Sequence, residues 1–188
     1  MKKIPDNAKK VFEGIIFDVY HWEQEMFDGS TATFEAIKRI NSNSILATAD
    51  NKIIITTEEQ PGKGVFTDMP GGRVERGEDK MMAAKRELLE ETGYSTDDFE
   101  EWFTEDSARM SKLEWNTFYY IARNCKKVQE QSLDAGEKIE LQWIPFEELL
   151  ERREVLSRGR PDFFKILEKA ASDEIEKQKL KDLLGITT

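Results

Sequence analysis

GRVERGEDKMMAAKRELLEETGY, residues 72–94, is the stretch from which the rest of the chain can be read. Between Glu78 and Glu91 it contains no Gly, Pro or β-branched residue. Ala83, Ala84, Leu88 and Leu89 supply helix propensity, and Gly93 stands where a C-cap belongs, so the pattern predicts a helix over 78–91. On that helix Glu87, Glu90 and Glu91 fall at i, i+3 and i+4 and share one face. Like charges at this spacing repel by roughly a few tenths of a kcal/mol per pair. They also sit at the helix C-terminus, where the macrodipole disfavours anions. Arg86 answers one of these carboxylates, not three.

Two readings of the triplet follow. One is a solvated acidic face in a highly charged chain. The other is a hard divalent cation, since Mg²⁺ prefers carboxylate oxygens and water and takes substrate phosphates as further ligands. Wider spacing favours the second. Five residues separate Gly72 from Glu78, and seven more lead to Arg86-Glu87-Leu88, followed by Leu89, Glu90-Glu91, Thr92, Gly93 and Tyr94. This is G-x5-E-x7-R-E-U-x-E-E-x-G-U, with U a bulky apolar residue and every fixed position filled. At average residue usage a chance match is on the order of 10⁻⁸ per starting position.

With this signature the sequence resembles the Nudix hydrolases, over about residues 40–155. The resemblance implies an α/β/α sandwich with a mixed sheet, in which the signature forms loop, helix and loop. It implies that Glu87, Glu90 and Glu91 bind metal together with the backbone carbonyl of Gly71. Glu78 and Arg86 would hold those carboxylates in place. Leu88 would point into the sheet, Gly72 would let the loop bend back, and Gly93 would end the helix. The implied reaction is attack of water at phosphorus in a nucleoside diphosphate linked to another moiety. Metal neutralises the diphosphate and a carboxylate takes the proton. That base lies on the helix in one branch, which points to Glu90 or Glu91, and on a distant loop in another. The loop QSLDAGEKIE offers Asp134, Glu137 and Glu140, of which Glu137 is preferred.

Outward from this core, the 188 residues suit about one domain with an appendage. Residues 11–22 and 31–38 read as strands of a small antiparallel sheet over 1–40, with a turn at Asp28-Gly29-Ser30. Residues 44–49 and 52–57 form a hairpin about Asp50-Asn51. Strands are expected near 98–104, 115–123 and 138–144, the second carrying Trp115, Phe118, Tyr119 and Tyr120 as core. A helix follows Pro145, and polar helices fill 161–184. The division is thus 1–40, a Nudix domain over 41–155, and C-terminal helices over 156–188. Arg152, Arg153, Arg158 and Arg160 read as a solvated helix end.

The N-terminal sheet is similar to that of the ADP-ribose and nucleotide-sugar pyrophosphatases. In that branch it crosses to a second subunit, and the resemblance implies a homodimer built through residues 1–40. Trp22 is the candidate to stack on the base, with packing as its other reading. Lys63 and Arg73 are candidate phosphate contacts. Three departures bear on ADP-ribose in particular. Arg109 and Met110 stand where several of those enzymes carry Pro; Pro70-Gly71-Gly72 replaces Pro-Ala-Gly; and Gln60 is followed by Pro61-Gly62-Lys63 rather than Arg. The other members of the family to weigh are nucleoside triphosphate hydrolases, usually without such a lead segment, and non-catalytic sensing modules, usually with an impaired signature.

Composition excludes other classes. A net charge of −10, from 38 acidic against 28 basic residues, argues against nucleic acid as a partner. One Cys, Cys125, and one His, His21, rule out an internal disulfide and a zinc finger. No apolar run approaches a membrane span and no secretory signal follows Met1, so the expected location is the cytoplasm. The expectation is a Mg²⁺-dependent pyrophosphohydrolase, with Mn²⁺ as the other suitable ion.

Overall fold

The computed structural model describes residues 3–106 and 112–187. Arg109 and Met110 lie outside them. Strands are β1 (Lys9–Glu13), β2 (Phe17–Glu25), β3 (Thr31–Arg39), β4 (Ser42–Ala49), β5 (Lys52–Gln60), β6 (Gly64–Asp68), β7 (Tyr94–Ser95), β8 (Phe99–Asp106), β9 (Leu113–Glu114), β10 (Asn116–Ala122), β11 (Lys126–Lys127) and β12 (Lys138–Ile144). Helices are α1 (Lys80–Thr92), α2 (Phe146–Glu151), α3 (Arg153–Leu156), α4 (Pro161–Ser172) and α5 (Glu174–Leu183).

The central sheet runs β12-β5-β4-β10-β8, with β6 on β5. Only β4 and β10 are parallel neighbours in it, so the sheet is mixed. Period-2 alternation sorts its side chains between two layers. Ile45, Ala47, Ile54 and Tyr120 face Ala84 and Leu88 of α1. Leu46, Ile53, Ile55 and Tyr119 face Phe146, Phe163, Leu167, Leu180 and Leu184 of the C-terminal helices. One helix below and four above make the expected α/β/α sandwich, with Leu88 turned into the sheet. Residues 161–184 split into α4 and α5 at Asp173, whose carboxylate caps the N–H groups of Ile175 and Glu176.

Local chemistry explains the joints. Asp50 and Asn51 both take positive φ, 49° and 65°, as a two-residue hairpin turn of type I′ requires. Asp79 caps α1 by accepting from Met81 N and Met82 N, which starts the helix two residues later than the propensity run suggests. Gly93 ends it in the left-handed region, and a Cβ there would lie 2.2 Å from the Gln129 carbonyl oxygen.

Residues 11–22 are not one strand. The chain turns back at Gly14, whose N–H donates to Phe17 O, and β1 pairs antiparallel with β2. A Cβ at Gly14 would meet that carbonyl oxygen at 2.7 Å, so the reversal depends on glycine. β2 continues antiparallel to β3, and β9 joins β3 in parallel. Arg76 fastens this sheet to the signature loop through two bonds to Asp18, at 3.0 and 2.7 Å. Cys125 is buried, and burial pushes its thiol up to about 12, so it is inert as a nucleophile. No helix among the described residues is long and apolar enough to cross a membrane.

Candidate active site

A cleft of about 1220 Å³ opens above the C-terminal end of α1. Its floor is the loop Pro70-Gly71-Gly72, strapped to β4 by Asn43 N to Gly72 O and Ile45 N to Pro70 O, both 2.8 Å. Those bonds use the β4 donors that face the loop and leave the Gly71 carbonyl outside the ladder. The backing is tight at both glycines. A Cβ on Gly71 would lie 2.4 Å from Asn43 O, and one on Gly72 would lie 2.5 Å from the Glu87 carboxyl carbon.

Glu87, Glu90, Glu91, Glu137, Gly71, Lys63 and Arg73 all line this cleft. Glu91 is 5% exposed, meets no cation among the described residues, and accepts from Gly71 N at 2.8 Å. Burial raises its pKa well above the ordinary value, with the charge of Glu58 next in effect. Burial likewise pushes Glu87 up to about 7, against the opposing pull of Arg86.

Arg86 spreads further than the single pairing expected of it. It forks onto Glu78 at 2.9 and 3.1 Å and reaches both Glu87 and Glu90 at 2.9 Å. Its last contact is the Arg73 carbonyl at 3.2 Å. Helical spacing counted only the neighbours on α1; the loop returning Glu78 supplied the bidentate partner, and that bond leads the causes that raise the Arg86 pKa. One cation therefore serves three carboxylates, and Glu91 is left unserved. Among the described residues no three acidic, His or Cys side chains converge to hold an ion as they stand. Glu87 and Glu90 are turned to Arg86 instead.

The loop carrying Glu137 is anchored to α1. Ser132 N donates to Glu90 O at 2.8 Å and Gln131 Nε2 to Glu91 O at 2.6 Å, which satisfies carbonyls that a helix end leaves open. Glu137 is close enough that its charge raises the pKa of both Glu87 and Glu91. Asp134 shares the cleft, whereas Glu140 is exposed on β12 and outside the lining.

Trp22 is not brought to this cleft. It sits on β2, with its ring 5.9 Å from Phe34 and its Nε1 on Gln24. His21 beside it makes a polar contact with Glu35 at 2.8 Å. Trp115, expected in the core with Tyr119 and Tyr120, is in the cleft wall instead, because β10 begins only at Asn116. Arg158 and Arg160 are not merely a solvated end. Both line the cleft, and Arg160 grips both oxygens of Asp68 at the end of β6.

Glu58 was not anticipated. It is 6% exposed on β5, accepts from Thr56 Oγ1 at 2.6 Å, and has its pKa raised by burial. Its only sequence signal is position: two residues beyond Thr56, it keeps to the same inward-facing row of β5.

Comparison with known proteins bears on the family and the fold. A family model described as NUDIX domain matches residues 38–167. A methanol dehydrogenase activator from Bacillus methanolicus is 27% identical over 147 residues, covering 77% of this chain and 79% of that protein. An ADP-ribose pyrophosphatase from Bacillus subtilis (strain 168) is 27% identical over 165 residues, covering 78% and 82%. Among solved structures, the crystal structure of an ADP compounds hydrolase superposes with a TM-score of 0.63 at 19% identity over the whole of both chains, a likeness of fold.

Proposed function

This chain belongs to the Nudix hydrolase family, and on that premise we propose that it cleaves a nucleoside diphosphate linked to a second moiety, ADP-ribose or a related nucleotide sugar. The observation that carries the proposal is the state of Glu91. It is a buried carboxylate with no cation among the described residues, tied to the Gly71 N–H on the floor of a cleft large enough for a nucleotide derivative. The resemblance to the B. subtilis ADP-ribose pyrophosphatase over 78% of this chain supports the substrate class.

A divalent ion fits this donor set. Every candidate ligand is a hard oxygen, which suits Mg²⁺ or Mn²⁺. Glycine at position 72 keeps open the space in front of Glu87 that a methyl group would fill. Glu87, Glu90, Glu91 and the Gly71 carbonyl would hold the ion, with Glu78 and Arg86 orienting them. Such an ion neutralises a diphosphate and acidifies water. Glu137 would accept the proton of the attacking water, with Glu90 on the helix as the other candidate base. As the new oxygen–phosphorus bond forms, the bond from phosphorus to the bridging oxygen breaks. The products are a nucleoside monophosphate and a sugar phosphate. Lys63 and Arg73 would meet phosphate oxygens along the cleft.

A homodimer through residues 1–40 belongs to the same proposal. Val11, Phe12, Ile15 and Phe17 leave large apolar surfaces exposed at one end of the N-terminal sheet, Ile15 at 87%. Because Trp22 does not line this chain's own cleft, stacking on a base requires the cleft of a second copy. Light scattering should return twice the chain mass; a monomer would remove both Trp22 and the dimer.

The test is a panel of ADP-ribose, other nucleotide sugars, dinucleotides and nucleoside triphosphates, assayed with Mg²⁺, with Mn²⁺ and with chelator. The expected result is metal-dependent hydrolysis of a diphosphate derivative. Turnover of triphosphates alone would overturn the substrate class, and turnover of nothing would overturn the activity.

A further inference from the structure

We propose that Arg39, held on the face of Trp115, and the side-chain amide of Asn43 form a phosphate-binding corner of the cleft, apart from the carboxylates of α1. The corner takes a phosphate ester group of the substrate. For the identity of that substrate the inference rests on the activity proposed above; the class of ligand follows from the corner itself.

The guanidinium of Arg39 lies 4.2 Å from the centroid of the Trp115 ring. Its Nη1 donates to Ser42 Oγ at 3.0 Å, and Trp115 Nε1 donates to the same oxygen at 3.3 Å. Stacking and a shared acceptor hold the fork in one plane and keep its remaining N–H edge available. Arg39 is half-buried and lines the cleft. Among the described residues it meets no carboxylate, although the chain carries 38 acidic side chains. Burial and then the charge of Arg73 lower the Arg39 pKa, and Arg73 also lines the cleft with no acidic partner among the described residues. Two arginines that repel each other across a cavity and lack a counter-ion are poised for an anion.

Asn43 supplies an independent sign. It is 4% exposed, and its Oδ1 accepts from Gly72 N at 3.2 Å, which fixes the orientation of the amide. The opposite end, Nδ2, is buried in the cleft wall with no partner. An unsatisfied donor of this kind carries a desolvation penalty that a ligand oxygen reaching it would remove. The corner thus offers donors and positive charge with no carboxylate bonded to Arg39 or Asn43 among the described residues, which selects a phosphate oxygen over a sugar hydroxyl or a base edge. Gly72 joins this corner to the acidic floor, since its N–H holds Asn43 and its Cα abuts Glu87. One phosphate of a diphosphate can then lie over the carboxylates while the other is gripped here.

The test measures binding without turnover. AMP, ribose 5-phosphate and uncharged adenosine are titrated calorimetrically into the full chain in chelator, for wild type, Arg39→Gln, Arg39→Lys and Asn43→Asp. Asn43→Asp keeps the acceptor for Gly72 N and replaces the free donor by a negative charge. The expected result is that at least one of the two phosphate esters binds wild type more tightly than adenosine. That ester should weaken at least tenfold in Arg39→Gln and in Asn43→Asp and recover in part in Arg39→Lys, with melting temperatures unchanged. In the metal-dependent assay Arg39→Gln should raise KM more than it lowers kcat. Unchanged affinity for both esters in Arg39→Gln, or equal affinity for adenosine and the esters in wild type, would overturn the corner. The two proposals fail separately: a wild type that hydrolyses nothing removes the activity, whereas Arg39-dependent phosphate binding in chelator stands without it.

Discussion

The backbone N–H of Gly71 donates to Oε2 of Glu91 across 2.8 Å, joining the loop before α1 to the last turn of that helix. The acceptor is a carboxylate that burial would rather keep neutral. Glu91→Gln retains an oxygen for the Gly71 N–H and removes the charge. The expected outcome is an intact fold, a melting temperature in chelator equal to or above wild type, and hydrolysis reduced on the order of 10²–10⁴-fold. Loss of the cooperative thermal transition would show that Glu91 is structural first.

Stability should depend on pH in a direction set by the same group. Burial pushes the Glu87 carboxyl up to about 7, and Glu58 and Glu91 are also raised, each chiefly by burial. A carboxylate with a higher pKa folded than unfolded leaves the native state holding more protons than the unfolded one, so stability falls as pH rises. In chelator the melting temperature should drop between about pH 5 and about pH 8, with the Glu87 contribution lost from its ordinary 4.5 up to about 7. Divalent ion binds the ionised form and should stabilise more at about pH 8 than at about pH 5. Calorimetric scans with and without Mn²⁺ decide this, and equal metal-induced shifts at both pH values contradict it.

Alanine at neighbouring glycines should separate fold from chemistry. In Gly72→Ala the new methyl meets the Glu87 carboxylate, the movable end of a side chain. In Gly71→Ala it meets backbone, the carbonyl of Asn43. Gly72→Ala should therefore melt within a few degrees of wild type yet bind Mn²⁺ at least tenfold more weakly. Gly71→Ala should lower the melting temperature markedly, the result of strain in β4 or the loop. Thermal melts beside metal titration give both readings, and the reverse order would refute the assignment.

Arg160 and Asp68 pair through two bonds, and Asp68 Oδ1 also accepts from Met69 N at 2.7 Å at the head of the glycine loop. Arg160→Met should cost about 2 kcal/mol by leaving Asp68 part-buried and unpaired. Asp68→Asn combined with Arg160→Met should recover part of it, because no lone charge remains. A denaturant series of Arg160→Met, Asp68→Asn and the double variant measures the coupling; strictly additive losses would mean that the pair does not hold the loop.

Legibility in the sequence followed separation along the chain. The helix, its carboxylate face, the Asp50-Asn51 hairpin and the glycine cap were readable because each rests on residues a few positions apart. Arg86 misled the count because its bidentate partner Glu78 returns through a loop rather than along the helix. Trp115 reaches Arg39 through the parallel pairing of β9 with β3, which sets Lys38 beside Glu114 and which no local pattern encodes. Arg160 finds Asp68 across 92 positions, so a basic run in sequence looked like a solvated end. Glu58 was hidden by abundance, one acid among 38.

The parallel pairing at the heart of the sheet has a consequence for how the chain is made. β4 aligns with β10, Ser42 to Ala47 beside Thr117 to Ala122, and a parallel neighbour cannot arrive by a hairpin. Ile45 and Leu46 therefore emerge during synthesis long before the strand that covers them. Closure comes later still, because Asn51 at the β4–β5 turn is bonded to Thr187 and Thr48 to the Leu184 carbonyl. The nascent chain must carry its most apolar hairpin unfinished until α5 and the residues after it have been made, so truncation within α5 should leave a product fit for degradation or aggregation rather than a slightly shorter enzyme.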